Sequence, residues 1–120
     1  MAPQTPRQMQ EDYKAALDAR DLEAAMAIYE PTAAFVQQSG DVVRGVDAIR
    51  PLQAAFLALD PAFTHEIVGV VEGDGVAIVK TDWHMRLPDG SEQSGRSCDI
   101  VRRQPDGSWL LAIDDPWARG

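Results

Sequence analysis

The chain has 120 residues, of which 45% are hydrophobic and 25% are charged, a composition typical of one globular domain with a single core. Its 19 acidic residues outnumber its 11 basic residues and give a formal net charge of −8, so its field repels nucleic-acid phosphates and anionic lipid surfaces. We therefore expect no nucleic acid and no membrane as partners. The N-terminal segment lacks the apolar core of a signal peptide, and no window reaches the ~18 apolar residues of a membrane span, which predicts a cytoplasmic protein.

Few groups in the sequence are suited to metals or cofactors. Cys98 is the single cysteine, so it cannot form an intrachain disulfide, and we interpret it as a small buried hydrophobic residue. The two histidines, His65 and His84, do not stand at a metal-ligand spacing, and the sequence contains no P-loop, Gly-x-Gly-x-x-Gly or Gly-x-Ser-x-Gly motif. We expect no metal and no organic cofactor.

The first element in chain order is a helix. Thr5 precedes Pro6 and stands three residues before Gln8, a pattern typical of a helix start with Thr5 as the N-cap. The apolar spacing extends the helix to about Ala19 and places Tyr13 on its core-facing stripe.

A second helix and a short hairpin follow. Asp21 is placed to cap a helix whose apolar stripe includes Tyr29, and Pro31 is expected to end it. The segment 33–38 predicts a short strand, and 41–44 predicts its antiparallel partner across a turn.

The next elements are a third helix and a β meander. Gly45 opens the helix, Pro51 is expected to kink or restart it, and Asp60-Pro61 stops it. From Phe63 onward, three turn signals separate four runs rich in β-forming residues. The turns are Gly73-Asp74-Gly75, Pro88-Asp89-Gly90-Ser91 and Pro105-Asp106-Gly107-Ser108. Helices followed by a long meander predict an α+β fold with the helices on one face of the sheet.

Loop length fixes which strand residues face each other. Treating both Pro-Asp-Gly-Ser turns as four-residue loops predicts these opposed pairs: Leu87 and Glu92, Trp83 and Arg96, Val79 and Ile100, Lys80 and Asp99, Gln104 and Trp109, and Asp99 and Asp114.

That register divides the sheet into two faces. The first face carries Ala77, Val79, Trp83, Met85, Cys98, Ile100, Trp109, Leu111 and Ile113. The second face carries Ile78, Lys80, Asp82, His84, Ser97, Asp99, Val101, Leu110, Ala112 and Asp114. Both faces hold too much apolar surface for open water, so we expect helices on one and a second subunit on the other. The predicted homodimer uses Trp83, Ile100, Trp109, Leu111 and Ile113.

The second face predicts a pocket with acid/base chemistry. A rung of Lys80, Asp99 and Asp114, with Asp82 and His84 on the same strand, would bring two carboxylates together and raise the pKa of one of them. Such opposed pKa shifts are typical of acid/base sites. The alternative interpretation is that these are solvated strand residues of an acidic protein.

Three stretches carry a resemblance to a known family. The segment from Tyr13 to Tyr29, the sequence Gly45-Val46-Asp47-Ala48-Ile49-Arg50 and the ending Asp106-Gly107-Ser108-Trp109 with Ile113-Asp114 resemble the ketosteroid isomerase-like, SnoaL-like branch of the nuclear transport factor two-like superfamily. The resemblance implies a cone-shaped curved antiparallel sheet with three N-terminal helices packed on its concave face. It implies one domain over residues 1–120.

The resemblance also implies site residues. In ketosteroid isomerases a tyrosine on the first helix and a protonated aspartic acid on a late strand form the oxyanion hole, and these positions match Tyr13 and Asp99. The position of the aspartate base holds Gln37, and an amide cannot abstract a proton. Steroid isomerisation is therefore not expected. Tyr13 can alternatively be a core residue whose hydroxyl bonds a strand.

Two classes of function remain at this point. The first is an isomerase, cyclase or lyase that acts on a carbonyl compound, and the second is a non-catalytic module for small-ligand binding or dimerisation. The candidate catalytic residues are Tyr13, Asp99, Asp82, His84 and Asp114, and the candidate ligand-binding residues are Gln37, Lys80, Val101 and Trp83.

Overall fold

A computed structural model describes residues 2–118 and contains three helices and six strands. The helices are α1 (Pro6–Asp18), α2 (Leu22–Met26) and α3 (Val46–Ala58). The strands are β1 (Tyr29–Val36), β2 (Val42–Arg44), β3 (Ala62–Glu72), β4 (Val76–Arg86), β5 (Glu92–Arg103) and β6 (Trp109–Asp114). Within the described residues, no helix is long and apolar enough to cross a membrane.

Local signals place the helix starts. The Thr5 side chain accepts a hydrogen bond from the Gln8 backbone N–H at 3.0 Å, and the Asp21 side chain accepts one from the Ala24 N–H at 3.1 Å, as the capping patterns predict. The third helix, α3, follows Gly45 and continues through Pro51 to Ala58, so of the two expected effects of that proline, a kink or a restart, the restart is wrong.

The predicted extent of the second helix is also wrong. α2 ends at Met26, and Tyr29 begins strand β1, with Pro31 inside that strand. Pro31 lies in the irregular stretch between the residues at which β1 pairs with β6, Tyr29 and Ala34. Proline has no backbone N–H, but at a position where the two strands are not paired this removes no hydrogen bond between them. The proline is therefore tolerated in the strand.

All six strands form one curved sheet in the order β2-β1-β6-β5-β4-β3. Its neighbouring strands pair antiparallel except β1 and β6, which pair parallel. Helix α1 contacts β3, β4 and β6, and α3 contacts β1 and β2, so the helices cover one face of the sheet. The α+β fold predicted from the sequence is confirmed.

The predicted register between β4 and β5 is wrong by one residue. Lys80 lies opposite Cys98, and Val79 lies opposite Asp99. The Leu87 N–H donates to Ser91 O, and the intervening loop of three residues ends at Gly90, whose φ is +89°. This is a bulged hairpin with the glycine in the left-handed region. Successive side chains of a strand point to opposite faces of the sheet. A loop shorter by one residue therefore moves every side chain of one strand to the other face relative to its neighbouring strand. The predicted pairs Leu87 with Glu92, Trp83 with Arg96, Val79 with Ile100 and Lys80 with Asp99 are all replaced.

A bulge partly restores the predicted register between β5 and β6. Near the turn, Arg103 rather than Gln104 lies opposite Trp109. Further along, Val101 pairs with Leu111 but Ile100 pairs with Ile113, so Ala112 is an extra residue of β6. Two opposite one-residue shifts cancel, and the side chains of Asp99 and Asp114 are hydrogen-bonded neighbours, as predicted.

The division into two faces changes accordingly. The inner face, under the helices, holds the buried side chains of Ala77, Val79, Thr81, Trp83, Met85, Ser97, Asp99, Val101, Trp109, Leu111 and Asp114. The outer face holds the less buried Ile78, Lys80, Asp82, His84, Cys98, Ile100 and Ile113. Trp83, Trp109 and Leu111 therefore face the helices, not a second subunit, and Cys98 is only half-buried.

Candidate functional site

A cavity of about 250 Å³ lies between the helices and the inner face of the sheet. Most of its wall is apolar, which is typical of small-molecule sites, and its volume lies just below their common range of about 300–1,000 Å³. The residues that line it are Gln10, Tyr13, Leu17, Phe35, Leu52, Gln53, Phe56, Leu59, Phe63, Thr81, Trp83, Met85, Gln93, Ser97, Asp99, Asp114, Pro116 and Trp117.

The polar part of the wall is a hydrogen-bonded network between three elements. Gln53 on α3 donates from its Nε2 to the Tyr13 hydroxyl of α1 at 2.9 Å and to the Tyr29 hydroxyl of β1 at 2.8 Å. The Tyr29 hydroxyl in turn donates to Asp114 Oδ2 at 2.6 Å. Because the Tyr13 oxygen accepts from Gln53, its own proton can be donated to a ligand in the cavity.

Two carboxyl groups lie side by side at this network. Asp99 and Asp114 have exposed fractions of 4% and 5%. Burial and the neighbouring charge of Asp114 raise the pKa of Asp99 well above the usual aspartate range. Burial also raises the pKa of Asp114, to about 6, against the opposing effect of the hydrogen bonds from Tyr29 and Asp99. Asp99 is therefore the carboxyl of the pair that holds its proton more strongly.

The two tyrosines remain protonated. Burial and the nearby charge of Asp114 raise the pKa of both Tyr13 and Tyr29 well above the ordinary phenol value. Each hydroxyl is therefore a hydrogen-bond donor and not a base at physiological pH. The Tyr13 hydroxyl, whose oxygen accepts from Gln53, can donate its proton to a ligand oxygen and stabilise negative charge there.

The aromatic side chains of Phe63, near the start of β3, of Trp83, near the end of β4, and of Trp117 form an apolar wall of the cavity. The Trp83 ring stacks on Phe63 with centroids 6.3 Å apart and meets the edge of Trp117 at 5.1 Å. Its indole N–H donates to Pro116 O at 2.7 Å. Gly95 lies directly under the indole, since a Cβ there would stand 3.0 Å from Trp83 Cζ2. This arrangement fixes a flat apolar surface for a ligand.

Five residues predicted for the site lie elsewhere, and four of them are on the sheet. Asp82, His84 and Lys80 are on the outer face, because the bulged hairpin exchanges the faces of β4 relative to β5. Asp82 pairs with Arg96 at 2.6 Å, which lowers the pKa of Asp82, and His84 pairs with Glu92 at 2.7 Å. Val101 is fully buried in the hydrophobic core and is not part of the cavity wall.

Gln37 is half-buried just after β1, where its backbone N–H donates to Asp41 O. Within the described part of the chain it is not among the residues that line the cavity. Of the candidate residues, the structure brings together Tyr13, Asp99, Asp114 and Trp83.

Three residues of the site are not predicted by the sequence patterns: Tyr29, Gln53 and Thr81. The apolar stripe around Tyr29 predicts a helix, and a helical position gives no relation between its hydroxyl and Asp114. Gln53 lies on the same side of α3 as Ile49 and Leu57, and a glutamine in an apolar stripe is the one signal that could have identified it.

Metal-binding clusters are not a feature of the described residues. Within 2–118, no three His, Cys, Asp or Glu side chains stand close enough to share an ion. No lysine, arginine or histidine among these residues lines the cavity, so the wall offers no cation to a phosphate-bearing cofactor.

A model of the SnoaL-like domain family matches residues 11–111. A search of curated protein sequences gave no significant match.

Solved structures confirm the fold. A protein from Thiobacillus denitrificans, provisionally named a calcium/calmodulin-dependent protein kinase type II association domain, superposes with a TM-score of 0.83 at 17% identity, covering 96% of this chain and 95% of that one. A ketosteroid isomerase-like protein from Erwinia carotovora gives a TM-score of 0.74 at 17% identity, with coverages of 90% and 88%. The match to the family model confirms the predicted superfamily, and the solved structures, at such identities, show the fold alone.

Proposed function

The chain belongs to the SnoaL-like domain family, and on that premise we propose that its cavity binds a small uncharged carbonyl compound and moves a proton on it without a cofactor. The observation that supports this function is the convergence of Tyr13, Asp99 and Asp114 on one apolar cavity. Such an activity corresponds to an isomerase, cyclase or lyase.

Each polar group has a role in this proposal. When a ligand is bound, the Tyr13 hydroxyl donates to the carbonyl oxygen, and the single proton of Asp99, which otherwise bonds to Asp114, turns to the same oxygen. The two donors stabilise the negative charge that develops when a neighbouring carbon loses its proton. Asp114 accepts that proton. Its pKa of about 6 keeps it ionised at neutral pH and still close enough to the solution pH to return the proton.

The mechanism differs from the one implied by ketosteroid isomerases. The residue at the position of their base, Gln37, is an amide and lies outside the cavity wall. Asp82 and His84 are on the outer face. Asp114 is therefore the carboxylate left to act as a base, on the last strand instead of the first.

The test is deuterium exchange into the methyl group of acetophenone, followed by proton NMR in D₂O. We expect the wild-type protein to accelerate exchange above a buffer control, Asp114→Asn to abolish the acceleration, and Asp99→Asn to reduce it by roughly 10²-fold, as loss of an oxyanion donor does. Asp106→Asn, in an exposed turn, is the matched control and should behave like the wild type.

A non-catalytic binding module is the second candidate, and one observation favours it. Asp114 already accepts hydrogen bonds from Tyr29 and Asp99, which lowers its basicity toward a ligand. Binding of acetophenone without accelerated exchange would establish this alternative. Failure of acetophenone and its single-ring relatives to bind at millimolar concentration would contradict both candidates.

We propose in addition that the protein is a homodimer formed by the outer face of the sheet. Val71, Ile78, Ile100 and Ile113 form a row across four strands, each paired with the next. Val71 and Ile113 are 63% and 40% exposed, and a continuous row of this kind favours a protein partner over water. Of the five residues predicted for the interface, Ile100 and Ile113 belong to this row.

A further inference from the structure

Among residues 2–118, two buried polar atoms of cavity-lining side chains have no hydrogen-bond partner, Gln53 Oε1 and Thr81 Oγ1. Both side chains line the cavity and are nearly inaccessible, with exposed fractions of 3% and 1%. Leaving a buried polar atom without a partner costs free energy, and a ligand that supplies a hydrogen-bond donor removes that cost.

The orientation of the Gln53 amide follows from the network around it. The Tyr29 hydroxyl donates its single proton to Asp114 Oδ2 at 2.6 Å. In its contact with Gln53, the Tyr29 oxygen must therefore be the hydrogen-bond acceptor. The nitrogen of the amide, 2.8 Å away, is therefore the atom that faces Tyr29. The amide oxygen is the acceptor left for a ligand.

This free acceptor lies beside the proposed carbonyl-binding donor. The C=O and C–N bonds of an amide are about 1.23 and 1.33 Å long, so its oxygen and nitrogen are separated by less than about 2.6 Å. The Gln53 nitrogen is 2.9 Å from the Tyr13 hydroxyl oxygen. A ligand that carries its hydrogen-bond donor one or two atoms from its carbonyl carbon therefore fits two groups so close together.

The rest of the cavity limits the body of the ligand. Its volume of about 250 Å³ suits a single ring, and the wall of Phe63, Trp83 and Trp117 suits a flat unsaturated one. Among the described residues no cationic side chain lines the cavity, and the ionised carboxylate of Asp114 repels anions.

We propose that Gln53 recognises a hydroxyl group next to the ligand carbonyl, so that the ligand is an uncharged α- or β-hydroxycarbonyl compound built on one ring. This inference rests on the proposed function, because it takes the carbonyl to be held by Tyr13. It adds a specificity residue and narrows the class of ligand.

The test compares three probes of one shape by NMR titration of the labelled protein, following the indole N–H of Trp117. The probes are acetophenone, phenacyl alcohol, which adds a hydroxyl next to the carbonyl, and the methyl ether of phenacyl alcohol, which cannot donate. We expect phenacyl alcohol to bind the wild-type protein roughly tenfold more tightly than the other two. This comparison does not depend on the stability of any variant.

Two variants assign the effect to Gln53. In Gln53→Met, which keeps the length of the side chain and removes the acceptor, the affinity ratio of phenacyl alcohol to its methyl ether should fall to about one. In Gln38→Met, at an exposed turn position, the ratio should stay near ten.

The outcomes separate the two proposals. Equal affinity of acetophenone and phenacyl alcohol for the wild-type protein would overturn the role of Gln53 and leave the carbonyl site standing. A preference for phenacyl alcohol that survives in Gln53→Met would also overturn it. Failure of all three probes to bind would reject the proposed function together with this inference.

Discussion

Burial of Asp114 beside Asp99 makes the stability of the protein depend on pH. The pKa of Asp114 rises from the ordinary value of 3.8 to about 6 on folding, so the folded state holds this proton more tightly than the unfolded chain. The resulting stabilisation is complete below about pH 4 and is lost as the pH rises through about 6. A shift of this size corresponds to a loss on the order of 3 kcal/mol.

Urea unfolding between about pH 4 and about pH 7 measures this effect in the wild type and in Asp114→Asn. We expect the decline in the free energy of unfolding to be smaller in Asp114→Asn. His65 acts in the opposite direction over the same range, because its pKa is lowered by burial and by Lys14, and the comparison of the two proteins removes its contribution. Asp106→Asn should keep the wild-type decline. An unchanged decline in Asp114→Asn would contradict the prediction.

Tyr29 and Tyr13 offer a matched pair of single-atom changes. Tyr29 donates directly to Asp114, and that bond opposes the rise in the pKa of Asp114. Tyr29→Phe should therefore raise the pKa of Asp114 by about one to two units, as expected for a hydrogen bond to a charged group. Tyr13→Phe removes a hydroxyl that accepts from the same Gln53 amide but does not donate to Asp114.

Carbon NMR titration of the Asp114 carboxyl reads this pKa directly. Tyr13→Phe should leave it close to the wild-type value and weaken acetophenone binding instead. The same shift in both variants would mean that the titration of Asp114 reports general loosening of the network and not its bond to Tyr29.

At the scale of single elements, Gly95 of β5 is a position that has no room for a side chain. A methyl group there would stand 3.0 Å from Trp83 Cζ2, so Gly95→Ala must displace the indole and lengthen its bond to Pro116 O. We expect a loss of about 1–3 kcal/mol in the free energy of unfolding and a shift of the Trp83 indole resonance. Denaturant unfolding and proton–nitrogen NMR measure both.

Gly69→Ala in β3 is the control for this substitution. Its nearest neighbour, Lys80 Cβ, is 4.0 Å from the added atom, and Gly69 does not have a positive φ. The loss of stability should be smaller there, and the indole resonance should not move. Equal losses at both positions would show that the cost comes from replacing a strand glycine and not from the contact with Trp83.

At the scale of the whole molecule, the outer row of aliphatic residues predicts self-association. Ile100 lies in the middle of that row, between Ile78 and Ile113, so Ile100→Asp should place a charge in the interface of the proposed dimer. Sedimentation at micromolar concentration should show a dimer for the wild type and a monomer for the variant.

Thr64→Asp places the same charge on the outer face but away from the aliphatic row. Thr64 lies at the end of β3 opposite to Val71 and pairs with the outward-facing His84. This variant should remain a dimer. A wild-type protein that sediments as a monomer would remove the interface altogether, and a dimer that tolerates Ile100→Asp would place the interface elsewhere.

Those parts of the structure that depend on neighbouring residues can be predicted from local sequence patterns. Thr5 and Asp21 fix the starts of α1 and α2 because a capping side chain bonds to backbone N–H groups only three residues away. The turns of the meander are equally local, since Gly90 and Gly107 supply the positive φ that the bends require. The number of strands in the meander and the α+β fold follow from these signals.

The set of residues that reach the cavity depends on contacts between distant parts of the chain. A Pro-Asp-Gly-Ser sequence fits a loop of three or four residues, and that one-residue difference moves Asp82 and His84 to the outer face and Thr81 to the inner one. The extra residue at Ala112, which brings Asp99 and Asp114 together, has no local signal. Tyr29 meets Asp114, and Gln53 meets Tyr13, across sequence separations of 85 and 40 residues. Such contacts depend on how the helices pack on the completed sheet, and a local sequence pattern does not encode that packing.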